Sequence, residues 1–184
     1  KSVADFCAHV HLAWRGEGVY LAAEVTDDHL VQNWQGRDLY KGDHIELFCD
    51  AAPGADPARD VFGAGQFQLG LSPGNFGHSG DPLFDRAPEA VVFLPAGQSA
   101  EGIEVAAQRT AGGYTLEALV PWSVVGRLSG QAGLAPAAGL PLAQEVGISD
   151  CDNAAAGQET LATLLTSPWS AGVRTRLWPA AIGP

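Results

Sequence analysis

Apolar and polar residues alternate with a period of two along most of this chain, and no other sequence feature constrains the fold as strongly. Residues i and i+2 of a strand share a face, so each alternating stretch offers one face to a core. Ala8–Trp14 alternates, Arg15–Gly18 turns, and Val19–Val25 returns, which is a hairpin. Ile103–Arg109, the turn Ala111-Gly112-Gly113 and Tyr114–Val120 form the clearest hairpin. Between them, Asp43–Asp50 puts Ile45, Leu47 and Cys49 on one face and His44, Glu46 and Phe48 on the other. Gln66–Leu71, Ala90–Leu94 and Glu145–Ser149 read as further strands, and Leu161–Leu165 and Arg176–Ile182 supply the last ones.

About nine short strands, with no amphipathic helix of about ten residues, predict an all-β fold. The natural form is a two-sheet antiparallel β-sandwich of jelly-roll or immunoglobulin-like size, with long loops and little helix. The helix expected is one turn at Pro121–Gly126, closed by Gly126. The 23 glycines and 12 prolines suit tight turns and long connections, here 29–42, 51–65 and 72–88, with 29–42 read as an exposed loop and 130–141 as linker. A chain of 184 residues can bury one core but not two ordinary ones, so 1–184 reads as a single domain.

A formal net charge of -11 repels nucleic acid and anionic membrane surfaces, so neither is an expected partner. No apolar run approaches the roughly 20 residues of a membrane-spanning helix. The chain contains no Met and reads as a mature exported chain, or a piece of a longer one, in an extracellular or periplasmic setting. Cys7, Cys49 and Cys151 fit no zinc or redox spacing. They allow either one disulfide and a spare thiol or three buried thiols.

Motifs of hydrolases, metalloproteases and phosphate-binding loops are absent from the sequence. His9 and His11 share a strand face, where a solvated edge is the expectation over a metal site. Asp27, Asp28, Asp43, Glu46 and Asp50 could pair for glycosidase chemistry, but they sit where Asp commonly ends strands, so no catalysis is expected. Asp150, Asp152 and Asn153 are spaced for a loop site for Ca2+, a hard cation that takes oxygen ligands; the alternative is a plain Asx turn.

Three blocks in order, Tyr20–Asp28 with Leu39–Asp50, then Gly113–Trp122, then Val146–Asp152 followed by Trp178, resemble the family 9 carbohydrate-binding modules over nearly the whole chain. The resemblance implies a DOMON-like sandwich without catalysis of its own, often attached to a secreted hydrolase. It also implies a sugar held between two aromatic rings, which cover the apolar C–H face of a pyranose while polar groups take its hydroxyls. The matching positions are Tyr40, where the family often has Trp, and Trp178, with Glu46 as polar contact. Gln68 stands where the family has a basic residue, Gly147 where it has a polar one, and Thr175 near the polar position before the last Trp. Trp34, in the polar loop Gln32–Gly36, is a further candidate contact, while Trp169 reads as packing. The competing expectation is a structural subunit that docks on a larger extracytoplasmic complex through its long loops. Relatives in the wider superfamily hold b-type haem, but without Met only His9, His11, His29, His44, His78 and Lys41 could ligate, so haem is not expected.

Overall fold

The computed structural model describes residues 6–54, 62–77, 85–158, 160–163 and 179–181. Two antiparallel sheets face each other. One is ordered β1 (Phe6–Trp14), β2 (Gly18–Asp27), β7 (Gly113–Pro121), β6 (Glu104–Thr110). The other runs β10 (Pro179–Ala181), β8 (Pro141–Asp150), β3 (His44–Asp50), β4 (Gln66–Ser72), β5 (Glu89–Leu94), with β9 (Thr160–Thr163) also paired to β8. The β-sandwich expected from the alternation is the fold. β8 begins at Pro141, four residues before the strand read from the sequence, and so takes in the end of what looked like linker.

The inward faces follow the alternation. Val19, Leu21, Ala23 and Val25 of β2 meet Tyr114, Leu116, Ala118 and Val120 of β7, and Ile45, Leu47, Phe67, Leu69, Val146 and Ile148 close the core from the other sheet. Each such aliphatic side chain, fully buried, contributes about 1.5–3 kcal/mol. All three cysteines are free thiols, with Cys49 and Cys151 buried, and burial pushes the Cys49 thiol up.

Two local expectations need correction. The helix after Pro121 is α1 (Trp122–Ser129), a turn longer than expected, and it is closed by Gly130 in the left-handed region at φ 72° rather than by Gly126. Apolar Val124, Val125 and Leu128 favour the extension because they cover one end of the core. Trp122 packs edge-on against Trp14, centroids 6.4 Å apart, and its indole N–H donates to Arg15 O at 2.7 Å.

The second correction is the loop 29–42, which is not simply exposed. It buries Val31, Gln32 and Leu39 and contains a 3-10 helix, Gly36–Lys41. The carboxamide of Gln32 donates to Leu39 O (3.1 Å) and Asp43 O (2.8 Å) and accepts from Trp34 N (3.1 Å), so it fills the loop from within. Gly42 is needed beside it, since a Cβ there would lie 2.6 Å from the Gln32 Oε1 and Val31 O atoms. With this cover in place, all seven residues of β3 are buried, including its outward-facing His44, Glu46 and Phe48.

Candidate functional site

The outer face of the β8–β3–β4 sheet is set by register. Glu46 lies between Gly147 and Gly70, and Phe48 lies between Glu145 and Gln68. Flanking glycines leave Glu46 without neighbouring side chains in its own row. Above Gly70 the space belongs to Phe93 and Leu39, whose atoms a Cβ would meet at 2.5 and 2.9 Å. Phe93 also stands edge-on to His44, centroids 6.3 Å apart. His44 Nδ1 lies 2.7 Å from Gly42 O, a contact that needs the proton on Nδ1, and its Nε2 lies 3.3 Å from Glu46 Oε1. The buried imidazole lies against the Glu46 carboxylate.

The 3-10 helix is pinned along β5. Arg37 donates to Val92 O and Phe93 O at 3.2 and 3.1 Å, and Gly36 N donates to Glu89 Oε1 at 3.0 Å. Leu39 reaches the sheet, and the next residue, Tyr40, stays 45% exposed; it and Leu12 are the large apolar side chains exposed among the described residues. Lys41 pairs with Asp38 at 2.9 Å and passes 5.8 Å from the Tyr40 ring centroid. Trp34 and Gln68 are half-buried, and Glu46 is only 6% exposed. The structure thus brings the segment of Tyr40 and Trp34 to the face that carries Glu46 and Gln68. Trp178, Trp169 and Thr175 lie outside the described residues.

A second constellation closes one end of the core. Asp27 continues the inward parity of β2, Asp43 precedes β3 on the parity of Ile45, and Asp150 ends β8 on the parity of Ile148. One carboxylate oxygen of each lies within 4.8 Å of the others, and Asp27, Asp28 and Asp152 form an overlapping group. Asp43 bridges segments: Oδ2 accepts from Val31 N in a short hydrogen bond, and Oδ1 accepts from Cys151 N at 2.8 Å. Asp27 Oδ1 accepts from His29 N at 2.8 Å, while Asp27 Oδ2 is buried with no hydrogen-bond partner.

Tyr114, opposite Val25 in β7, is 1% exposed, and its hydroxyl also lacks a partner. Burial pushes that hydroxyl well above the tyrosine range, helped by the charges of Asp43, Asp27 and Asp150. Burial, and then the Asp27 charge, raise the Asp43 carboxyl to about 8, against the pull of the Val31 and Cys151 N–H groups. Asp27 is raised too, by burial first and then by Asp150, Asp152 and Asp28.

Of the expected metal set, Asp150 and Asp152 belong to these groups. Asn153 does not join them: it is exposed, and its Oδ1 accepts from Ala155 N at 2.9 Å, the Asx turn that was the alternative. Asp27, Asp28 and Asp43 were read as strand ends and missed as one cluster. The sequence signal was present in that Asp27, Asp43 and Asp150 each extend the core-facing parity of a strand onto a carboxylate.

The two-sheet sandwich thus presents an exposed aromatic beside a polar face. The profile of the family described as "Carbohydrate family 9 binding domain-like" matches residues 1–167, and the chain belongs to that family of non-catalytic carbohydrate-binding modules. A family 9 carbohydrate-binding module from Caldicellulosiruptor kristjanssonii, solved with cellotriose, shares the fold with a TM-score of 0.66 at 15% identity, covering 94% of this chain and 72% of that one. The same module with glucose gives a TM-score of 0.65 at 15% identity, with 94% and 73% covered. No curated protein matches the chain.

Proposed function

We propose that this module binds a sugar or glycan end on the outer face of the six-stranded sheet, with Tyr40 and Trp178 as the aromatic surfaces that enclose a pyranose. The observation that carries this reading is the exposure of Tyr40 on a 3-10 helix pinned beside the Glu46 row, where an aromatic would otherwise be expected to fold inward. Stacking on the ring covers the apolar C–H face of the sugar, and Glu46, which lies beside His44, and Gln68 take hydroxyls. Trp34 borders the site. Gln68 in place of a basic residue supplies a neutral donor and acceptor, which favours an uncharged sugar. Cellotriose and glucose, the ligands of the two similar modules, are the first compounds to try. Such a module serves an exported protein in an extracellular or periplasmic setting, attached to a hydrolase or to a larger complex. A purely docking role is less favoured, because the loop turns Val31 and Leu39 inward.

Calorimetry with glucose, cellobiose and cellotriose tests the proposal. Tyr40→Ala and Trp178→Ala should each abolish measurable heat, and Glu46→Gln should weaken binding about tenfold. Unchanged affinity in Tyr40→Ala would sink it.

The same reading includes a structural Ca2+ at Asp27, Asp43 and Asp150, with Asp28 and Asp152 adjoining. Donors that are all oxygen suit a hard divalent cation, and the fit is supported by the partnerless Asp27 Oδ2 and Tyr114 hydroxyl beside them. When bound, the cation would supply positive charge to a buried group of like charges.

A further inference from the structure

We infer that the acidic end is a cation-operated clamp on the loop 28–42: Ca2+ held by Asp27, Asp43 and Asp150 ties both ends of that loop to β8, holds Trp34 and Tyr40 at the outer face, and so makes sugar affinity depend on the cation. The inference rests on the cation and carbohydrate readings above and adds the coupling between them.

The stem of the loop is the cluster itself. Asp27 is the last residue of β2, immediately before the loop, and Asp43 stands between the loop and β3. Asp150, the third carboxylate, comes from β8, 107 positions beyond Asp43 in the chain and one residue past the His44↔Ser149 pair. Asp43 already joins the two segments by accepting from Val31 N in the loop and Cys151 N after β8. Asp27 holds the loop's first turn through His29 N and leaves its other oxygen without a partner.

From the stem the constraint passes inward through Gln32. Its side chain bonds Asp43 O at the stem, Leu39 O beside Tyr40, and Trp34 N. A shift of the stem therefore moves both aromatics, since Gln32 is 0% exposed and has no room to compensate. Without a cation, Asp27, Asp43 and Asp150 meet at the stem of the loop with Asp27 Oδ2 buried and lacking a hydrogen-bond partner. With a cation, the same three groups become ligands that hold the stem shut.

By linkage, the sugar must tighten Ca2+ binding by the factor with which Ca2+ tightens sugar binding. The test uses the folded module in calcium and in chelator, with three readouts. Calorimetry of Ca2+ measures the site directly. Hydrogen exchange of 28–43 against 122–129 measures the clamp without any sugar. Cellobiose titrations measure the coupling. Calcium should slow exchange at 28–43 much more than at α1, and should tighten cellobiose binding about tenfold.

Asp27→Asn should lose both effects. Gln32→Ala should keep Ca2+ binding but lose the effect on Trp34 and Tyr40. Calcium that binds without selective protection of 28–43, or with unchanged cellobiose affinity, overturns the clamp while leaving the site. Failure of Ca2+ to bind overturns clamp and site together, and cellobiose binding in chelator would then leave the carbohydrate reading standing. Absence of any sugar binding would defeat the carbohydrate reading and the affinity coupling, and the exchange comparison would then decide the clamp alone.

Discussion

The two ends of this sandwich solve the same problem in opposite ways. Where β2 starts and β7 finishes, the core is closed by α1, whose Trp122, Val124, Val125 and Leu128 continue the apolar interior. Where β2 finishes and β7 starts, it is closed by Asp27, Asp43 and Asp150 around the Tyr114 hydroxyl. The first closure is made by apolar packing, with the Trp122 indole N–H donating to Arg15 O. The second gathers three carboxylates out of water, where each carries a desolvation cost that neighbouring carboxylates increase. One end of the fold is thus expected to be independent of calcium and the other to respond to it.

The contrast can be broken most forcefully at the apolar end. Trp122→Ala removes a nearly fully buried ring and leaves Arg15 O without its donor, and should cost about 3–5 kcal/mol in urea unfolding whether or not calcium is present. A calcium-dependent cost there would refute the independence of that end. Next in size, Gln32→Ala strips partners from Leu39 O, Asp43 O and Trp34 N and should cost about 1–3 kcal/mol, with faster exchange confined to 28–43.

A smaller effect, with a sign that depends on conditions, is expected of Asp27→Asn. In chelator it replaces a buried carboxyl that has one partnerless oxygen and should be neutral or stabilising by about 1 kcal/mol, whereas in calcium it deletes a ligand and should lower the melting temperature. The same sign in both solutions would mean that the cluster is only a structural turn. Least of all, Tyr40→Ala should leave stability within about 0.5 kcal/mol while removing sugar binding, because the ring is largely in water.

Much of this architecture was readable without coordinates. The hairpins around 15–18 and 111–113, the strand 43–50 and the sandwich itself follow from alternation and turn residues, and both are local properties. The block order put Tyr40, Glu46 and Gln68 forward as candidates, while the covering of β3 on both faces was not legible. Nothing in the alternation of His44, Glu46 and Phe48 says that a loop held together by a buried glutamine will lie over them. The helix was placed correctly at its start but closed too early, because Gly126 looked like a stop and is instead packed with its Cα facing Gln131 O.

Parity along a strand is written in the residues themselves, so the sequence by itself determined which side chains face inward, down to the aspartates that end β2 and β8. Which strand ends meet is a matter of sheet order, β8 beside β3 and β2 beside β7, and that order is set by contacts between segments up to about a hundred residues apart. Only the tertiary structure could therefore decide that Asp27, Asp43 and Asp150 share one end of the core and that α1 occupies the other. An isolated aspartate at a strand end is a turn residue; three of them brought together out of water each make the burial of the others costlier.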